Sequence, residues 1–150
     1  MKLAEALQER ADISRRIDQL RYRLSRNATV QEGEKPAEDP NELIQELDGC
    51  TARLEELMAR INLTNAQTKV EDKTLTELIA KRDALNLKLS VYRSFLSEAS
   101  NLAGRATRNE IKILSTVNVR KLQKQVDDMS RDLRLTDNAL QQANWTVELM

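Results

Sequence analysis

The chain contains no histidine and only one cysteine among its 150 residues. Without histidine, the usual general base at neutral pH and the Glu-x-x-His ligands of di-iron bundles are missing. A single cysteine gives neither an intrachain disulfide nor a cysteine-rich zinc site. These absences argue against the commonest catalytic and metal centres, so the sequence predicts a protein without catalysis, without a cofactor and without catalytic residues.

Aromatic residues and turn residues are also scarce. One Trp, two Tyr and one Phe are too few for a base-stacking or carbohydrate-binding platform. Three Gly and two Pro argue against sandwiches and barrels. The 24 basic and 24 acidic residues balance, whereas nucleic-acid proteins and membrane-surface proteins usually carry a basic excess. We therefore expect no nucleic-acid partner and no membrane partner.

Long apolar runs are absent as well. No stretch approaches the ~20 apolar residues of a membrane-spanning helix. The N-terminal segment "MKLAEALQER" reaches charged residues too early for a secretory signal. The sequence predicts a cytoplasmic protein that forms one domain over residues 1–150.

Leucine-rich stripes with alternating three- and four-residue spacing are the main positive signal. They predict four long amphipathic helices, with connections at about 26–39, 62–73 and 104–117. Asp39 and Pro40 are typical of a helix start, and "TLTE" from Thr74 to Glu77 is a capping box. The predicted fold class is an all-α, antiparallel, up-down-up-down four-helix bundle. Residues 110–118 contain several β-branched side chains and predict a short strand or an extended linker.

The third predicted helix has the widest apolar face and is expected to be the most buried. That face is widened beside its leucine stripe by Leu75, Ile79, Val91 and Phe95. Cys50 lies among the leucines of the second helix and is expected to be a packed thiol. Trp145, close to the end of the sequence, is expected to pack in the core or at an interface, where an exposed tryptophan is a typical hot spot.

Two arginines interrupt the apolar stripes, Arg10 in the first helix and Arg82 in the third. Burying an unpaired guanidinium is costly, so both need carboxylate partners at the same height of the bundle. The predicted buried polar layer contains Arg10, Glu56, Arg82, Asp83 and Asp137. Its expected role is to fix the register of the helices, with a ligand or ion site as the alternative.

The connector "RNATVQEGEKPAEDP" is longer than the ~2–8 residues that usually join helices in bundles. Its acidic residues are expected to meet basic residues at one polar end of the bundle. This end predicts a salt-bridged cap or a docking site for another subunit, with candidate residues Arg23, Asn27, Gln31, Glu32, Arg105 and Glu110. A weaker alternative is a Mg²⁺ or Ca²⁺ site formed by Glu32, Glu34 and Asp39.

Several phrases of the sequence are distinctive, among them "MKLAEALQERADISRRIDQLRYRL", "NATVQEGEKPAEDP", "INLTN", "TLTELIAKRDAL", "EIKI" and "NWTVEL". Together they resemble a family of small bacterial proteins that carry the label septicolysin-like. The resemblance implies an all-helical protein without an assigned reaction. The label itself implies a pore-forming cytolysin.

Three functional hypotheses follow. The residues favour an interaction module that forms a homo-oligomer or binds a protein partner through its polar end. The first alternative is a membrane-active, cytolysin-like protein. The second is a metal-binding or ligand-binding protein that uses the acidic end.

Overall fold

A computed structural model describes residues 1–102 and 111–150, and the structural statements below concern these residues. Their elements are α1 (Leu3–Arg26), α2 (Pro40–Gln67), β1 (Lys69–Val70), β2 (Lys73–Thr74), α3 (Leu75–Ser100) and α4 (Val119–Thr146). β1 and β2 form a two-stranded hairpin, and long helices make up most of the rest. The prediction of an all-α class with four long helices is confirmed.

The chain divides into two compact units, with one boundary inside β1 and the other inside α4. Unit 1 comprises Met1–Lys69 and Ala143–Met150, and unit 2 comprises Val70–Gln142. That residues 1–150 form one domain stays a prediction.

Unit 1 is built on the antiparallel pair α1 and α2. The apolar stripes of the two helices supply its core, together with residues from the end of the chain. The C-terminal residues also pair with the N-terminus: Leu3 N donates to Val147 O and Leu149 N donates to Met1 O, each at 2.9 Å. The buried side chains of unit 1 include Leu3, Leu20, Leu57, Ile61 and Leu149.

Unit 2 is built on the antiparallel pair α3 and α4. Polar side chains link the two helices: Lys81 Nζ donates to Asp132 Oδ1 at 2.9 Å, and Arg93 Nη2 donates to Ser130 Oγ at 3.0 Å. The predicted stripe of α4 faces the core, because its buried and half-buried positions recur every three or four residues. They are Leu122, Val126, Met129, Leu133, Thr136, Leu140 and Ala143. The buried apolar side chains of unit 2 include Leu75, Leu78, Leu89, Leu122, Val126 and Leu140.

The predicted helix starts are confirmed. Asp39 Oδ1 accepts a hydrogen bond from Asn41 N at 2.9 Å, and Pro40 is the first residue of α2. At α3, Thr74 Oγ1 accepts from Glu77 N at 3.2 Å, and Glu77 Oε2 accepts from Thr74 N at 2.7 Å. These side chains satisfy backbone N–H groups that the first turn of a helix leaves unpaired.

The prediction that α2 fades near residue 62 is wrong. The helix continues to Gln67, and residues 69–74 form the hairpin instead of an open connection. Ile61 and Thr64 are buried, so tertiary packing outweighs the weak helix propensity of the neighbouring Asn and Thr residues. Thr64 Oγ1 also accepts from Met150 N at 3.0 Å, which ties the last turns of α2 to the end of the chain.

α4 has five buried residues and α3 has four, so the prediction that α3 is the most buried helix is wrong. Leu87, Val91 and Phe95 are 73 %, 67 % and 45 % exposed. In unit 2, α3 packs against α4 along the stripe that contains Leu89, which is 1 % exposed. The side chains of Val91 and Phe95 therefore lie outside the core of the unit.

The segment before α4 contains no strand in the residues that are described, 111–118. Asn118 ends it as the cap of α4, with its Oδ1 accepting from Lys121 N at 3.1 Å. Among the described helices, none combines the length and apolar character that crossing a membrane requires.

Candidate functional site

Three residues of the predicted polar layer lie together in unit 2. Arg82 Nε donates to Asp83 Oδ1 at 3.0 Å, and Arg82 Nη1 lies 3.9 Å from Asp137 Oδ1. Their side chains are 31 % to 61 % exposed, so the chain by itself does not bury this cluster. The expectation of burial needs this correction, because long charged side chains keep their ends in water while their stems cover apolar surface.

The other two residues of that layer lie in unit 1. Glu56 pairs with its own helix, accepting from Arg53 Nη1 at 2.8 Å and from Arg60 Nη1 at 3.3 Å. Arg10 is half-buried and forms no ion pair within the described residues. Neighbours three or four residues apart on a helix are the nearest partners, which explains the pairing of Glu56. A common layer of all five residues stays a prediction.

The polar connector of unit 1 folds back onto α1 at two predicted residues. Arg23 Nε donates to Glu38 Oε2 at 3.1 Å, and this guanidinium lowers the pKa of Glu38. Asn27 is buried, with its Nδ2 donating to Arg23 O at 2.8 Å and its Oδ1 accepting from Glu38 N at 3.0 Å. One amide side chain thus joins the end of α1 to the connector.

The two other described candidates at this end, Gln31 and Glu32, are not gathered around Asn27. Gln31 O accepts from Glu34 N at 3.0 Å within a turn, and the side chains of Gln31 and Glu32 are exposed. Arg105 and Glu110 lie outside the described residues.

Glu32, Glu34 and Asp39 do not form a metal centre in this arrangement. Glu32 and Glu34 point into solvent, and Asp39 caps α2. In the part of the chain that the structure describes, no three acidic or cysteine side chains cluster closely enough to hold a metal ion.

A row of ion pairs joins α1 to α2 along unit 1. Arg53 Nε donates to Glu9 Oε1 at 2.7 Å and Arg53 Nη2 to Glu9 Oε2 at 3.0 Å, a two-bond pair. Arg16 Nε donates to Glu46 Oε1 at 2.7 Å, and the Arg23–Glu38 pair continues the row. The hydrogen bonds from Arg53 hold the pKa of the Glu9 carboxyl below its usual range.

The Glu9–Arg53 pair makes the stability of unit 1 depend on pH. Because the folded pKa of Glu9 is lowered, its contribution is full above the unfolded pKa of about 4.3 and is lost as the pH falls through the folded pKa. Glu9→Gln is expected to lower the melting temperature at pH 7 and to reduce its decline between about pH 5 and pH 3. Thermal scans monitored by circular dichroism measure both effects. Glu55→Gln, at an exposed position on α2, is the control, and its melting temperature is expected to decline with falling pH as that of the wild type does. If the melting temperatures of the two variants depend on pH in the same way, the Glu9–Arg53 pairing is contradicted.

The sequence analysis missed a second stripe on α3. Ala80, Ala84, Leu87 and Val91 are spaced by four, three and four residues, which is the spacing of a coiled-coil seam, and all four are exposed. The stripe lies on the side of α3 opposite Leu89. Its periodicity was present in the sequence, but both faces of this helix are apolar and only packing distinguishes them.

A groove of unit 2 adjoins this stripe, between α3 and the beginning of α4. Its volume is about 490 Å³. The lining residues are Val91, Tyr92, Phe95, Val117, Asn118, Lys121, Leu122 and Gln125.

Cys50 and Trp145 both belong to unit 1. Cys50 is half-buried, which makes it less enclosed than the predicted core thiol. Trp145 is 63 % exposed, so it does not pack in the core of the chain, and its role at an interface stays a prediction.

Comparison with known proteins gives a family and one similar structure. Residues 10–149 match the model of a family described as a family of unknown function (DUF6847). A crystal structure of a functionally unknown conserved protein from Corynebacterium diphtheriae is 38 % identical, covers 100 % of this chain and 99 % of that one, and has a TM-score of 0.89. No curated protein matches. None of these matches carries the septicolysin-like label.

Proposed function

Because the chain belongs to a family of unknown function (DUF6847), we propose its role from its own surface: a non-catalytic helical module that self-associates through the outer face of α3. The observation that carries this proposal is the row of exposed apolar side chains at Ala80, Ala84, Leu87 and Val91. Contact between such a row and water is unfavourable, and contiguous exposed apolar surface is typical of interaction sites.

A second copy of the chain is the partner that this face fits. In heptad terms, Val91 occupies an a position and Leu87 a d position, the combination that favours parallel pairs of helices. In a parallel pair related by twofold symmetry, Leu87 of one copy meets Leu87 of the other. The charges beside the seam support the same arrangement. Asp83 occupies a g position, and in a parallel dimer it faces Lys88 at the next e position of the partner helix. The twofold symmetry repeats this pair on the other side of the seam.

The extent of the face predicts a weak, concentration-dependent dimer. A standard protein interface buries about 800 Å² on each partner. The outer face of α3 is smaller than that, since it consists of one leucine, one valine, two alanines and the edge of Phe95. Association in such a case depends on protein concentration, and one substitution at the centre is sufficient to prevent it.

Leu87→Glu is therefore expected to abolish self-association, because it places a carboxylate of each copy at the centre of the apolar seam. Sedimentation equilibrium over a wide concentration range measures the effect. The wild-type weight-average mass is expected to rise from the 17.2 kDa of one chain towards twice that value, while Leu87→Glu stays at one chain.

Leu135→Glu is the matched control, since Leu135 is an exposed leucine of the same unit, on α4. This variant is expected to associate like the wild type. A wild-type protein that is monomeric at every concentration contradicts the proposal, as does equal association of both variants.

The membrane-active alternative has its own test in the release of a dye from liposomes. Self-association as the function predicts no release at sub-micromolar protein. Release at that concentration would favour the cytolysin-like alternative instead.

A further inference from the structure

The groove of unit 2 has the size and lining of a small-molecule site. Its volume of about 490 Å³ lies within the roughly 300–1,000 Å³ that such sites occupy. Val91 and Phe95 of α3 form one apolar wall, and Val117 and Leu122 form the other. Three polar side chains lie together on the α4 side, those of Asn118, Lys121 and Gln125. An apolar cleft with a few polar groups on one side suits a ligand that has an apolar body and one polar end.

The positive charge at the start of α4 indicates that the polar end of the ligand is an anion. Arg120, Lys121 and Lys124 lie within the first six residues of the helix, and its first turn has no acidic residue. Backbone N–H groups already make this end of a helix positive, so cations here are unfavourable. Within the described residues, none of these three side chains forms an ion pair. An anion in the groove would offset this accumulation of positive charge.

We propose that this groove binds a small amphipathic anion, an alkyl or aryl carboxylate. Its apolar body lies between Phe95 and Leu122, and its carboxylate accepts hydrogen bonds from the Lys121 ammonium and the Gln125 amide. Asn118 already caps α4 through its Oδ1, which leaves its amide N–H₂ group as a further donor. Neutral and cationic molecules of the same shape gain the apolar contact but not the charge interaction.

The test compares three eight-carbon probes that differ in their head group: octanoate, octan-1-ol and octylammonium. Isothermal titration calorimetry is expected to show that octanoate binds about fivefold to tenfold more tightly than octan-1-ol, the range for a solvent-accessible ion pair with an added hydrogen bond. Octylammonium is expected to bind most weakly. Amide chemical shifts of Val117 and Leu122 in the wild type locate the probe in the groove without any substitution.

Lys121→Gln is expected to remove the preference for octanoate over octan-1-ol. Arg131→Gln is the control, because it removes the same charge from an exposed position further along the same helix. The proposal is overturned if octanoate does not bind, if the three probes bind alike, if the shifts move elsewhere, or if Lys121→Gln retains the preference.

This inference is separable from self-association. Val91 and Phe95 belong to both surfaces, but Leu87 does not line the groove. At a protein concentration where the wild type is also a monomer, the Leu87→Glu variant is therefore expected to bind octanoate like the wild type. A wild-type protein that stays monomeric but binds octanoate overturns only the proposal of self-association, and a wild-type protein that dimerises but does not bind octanoate overturns only the proposal for the groove.

Discussion

Leu89→Ala is expected to lower the free energy of unfolding by about 2–5 kcal/mol, whereas Leu87→Ala, two residues away on the same helix, changes it by no more than about 0.5 kcal/mol. Leu89 is 1 % exposed in the core of unit 2, so its truncation removes apolar contacts and leaves a cavity. Leu87 is 73 % exposed, and its truncation removes atoms that are mostly in water already.

Urea unfolding of both variants, at a protein concentration where the monomer predominates, measures this contrast. The pair is well matched because residue type, helix and substitution are the same and only the face differs. Similar losses at both positions would mean that the outer face of α3 is covered within a single chain, which would remove the basis for self-association. A negligible loss at Leu89 would contradict the assignment of the core.

Local signals in the sequence were sufficient for the helices and their starts. The capping box of Thr74 and Glu77 and the Asp39–Pro40 start involve residues at most three positions apart, so the pattern contains all the interacting groups. The sequence also predicted the buried stripe of α4 correctly, because only one face of that helix is apolar. Leu122, Val126 and Leu140 are all buried as the spacing predicts.

The faces of α3 show where periodicity is insufficient. Leu87 and Leu89 belong to two apolar stripes of one helix, and nothing within that helix determines which stripe meets α4. The answer depends on neighbours far along the chain. The sequence analysis placed Val91 in one wide buried face with the leucine stripe and did not assign Leu87, and so it missed the candidate interaction site.

Long-range hydrogen bonds explain the other differences. α2 extends to Gln67 where Thr64 bonds to Met150, a residue 86 positions away, and the turn of the hairpin places Glu71 at a φ of 58° without a glycine. The pairing of Arg53 with Glu9 spans 44 positions, and many other carboxylates were available to that arginine in the sequence. Side chains this long and flexible give no periodic signal, which is why the sequence does not indicate the pairing of Arg53 with Glu9.

A symmetric dimer through α3 also predicts that a cysteine at position 87 will crosslink to itself. In a parallel seam the two residues at a d position face each other across the twofold axis, within the roughly 4.4–6.8 Å between Cα atoms that a disulfide requires. The native Cys50 is half-buried, and Cys50→Ser removes it as a competing thiol. Leu135→Cys in the same background supplies an exposed leucine position on α4 as the control.

Mild oxidation followed by non-reducing electrophoresis is thus the most direct measurement of self-association through this face. The Cys50→Ser/Leu87→Cys protein is predicted to form a covalent dimer of about twice 17.2 kDa, and the Cys50→Ser/Leu135→Cys protein is predicted to remain at one chain. A dimer yield at position 87 that is no higher than the yield at position 135 would contradict it.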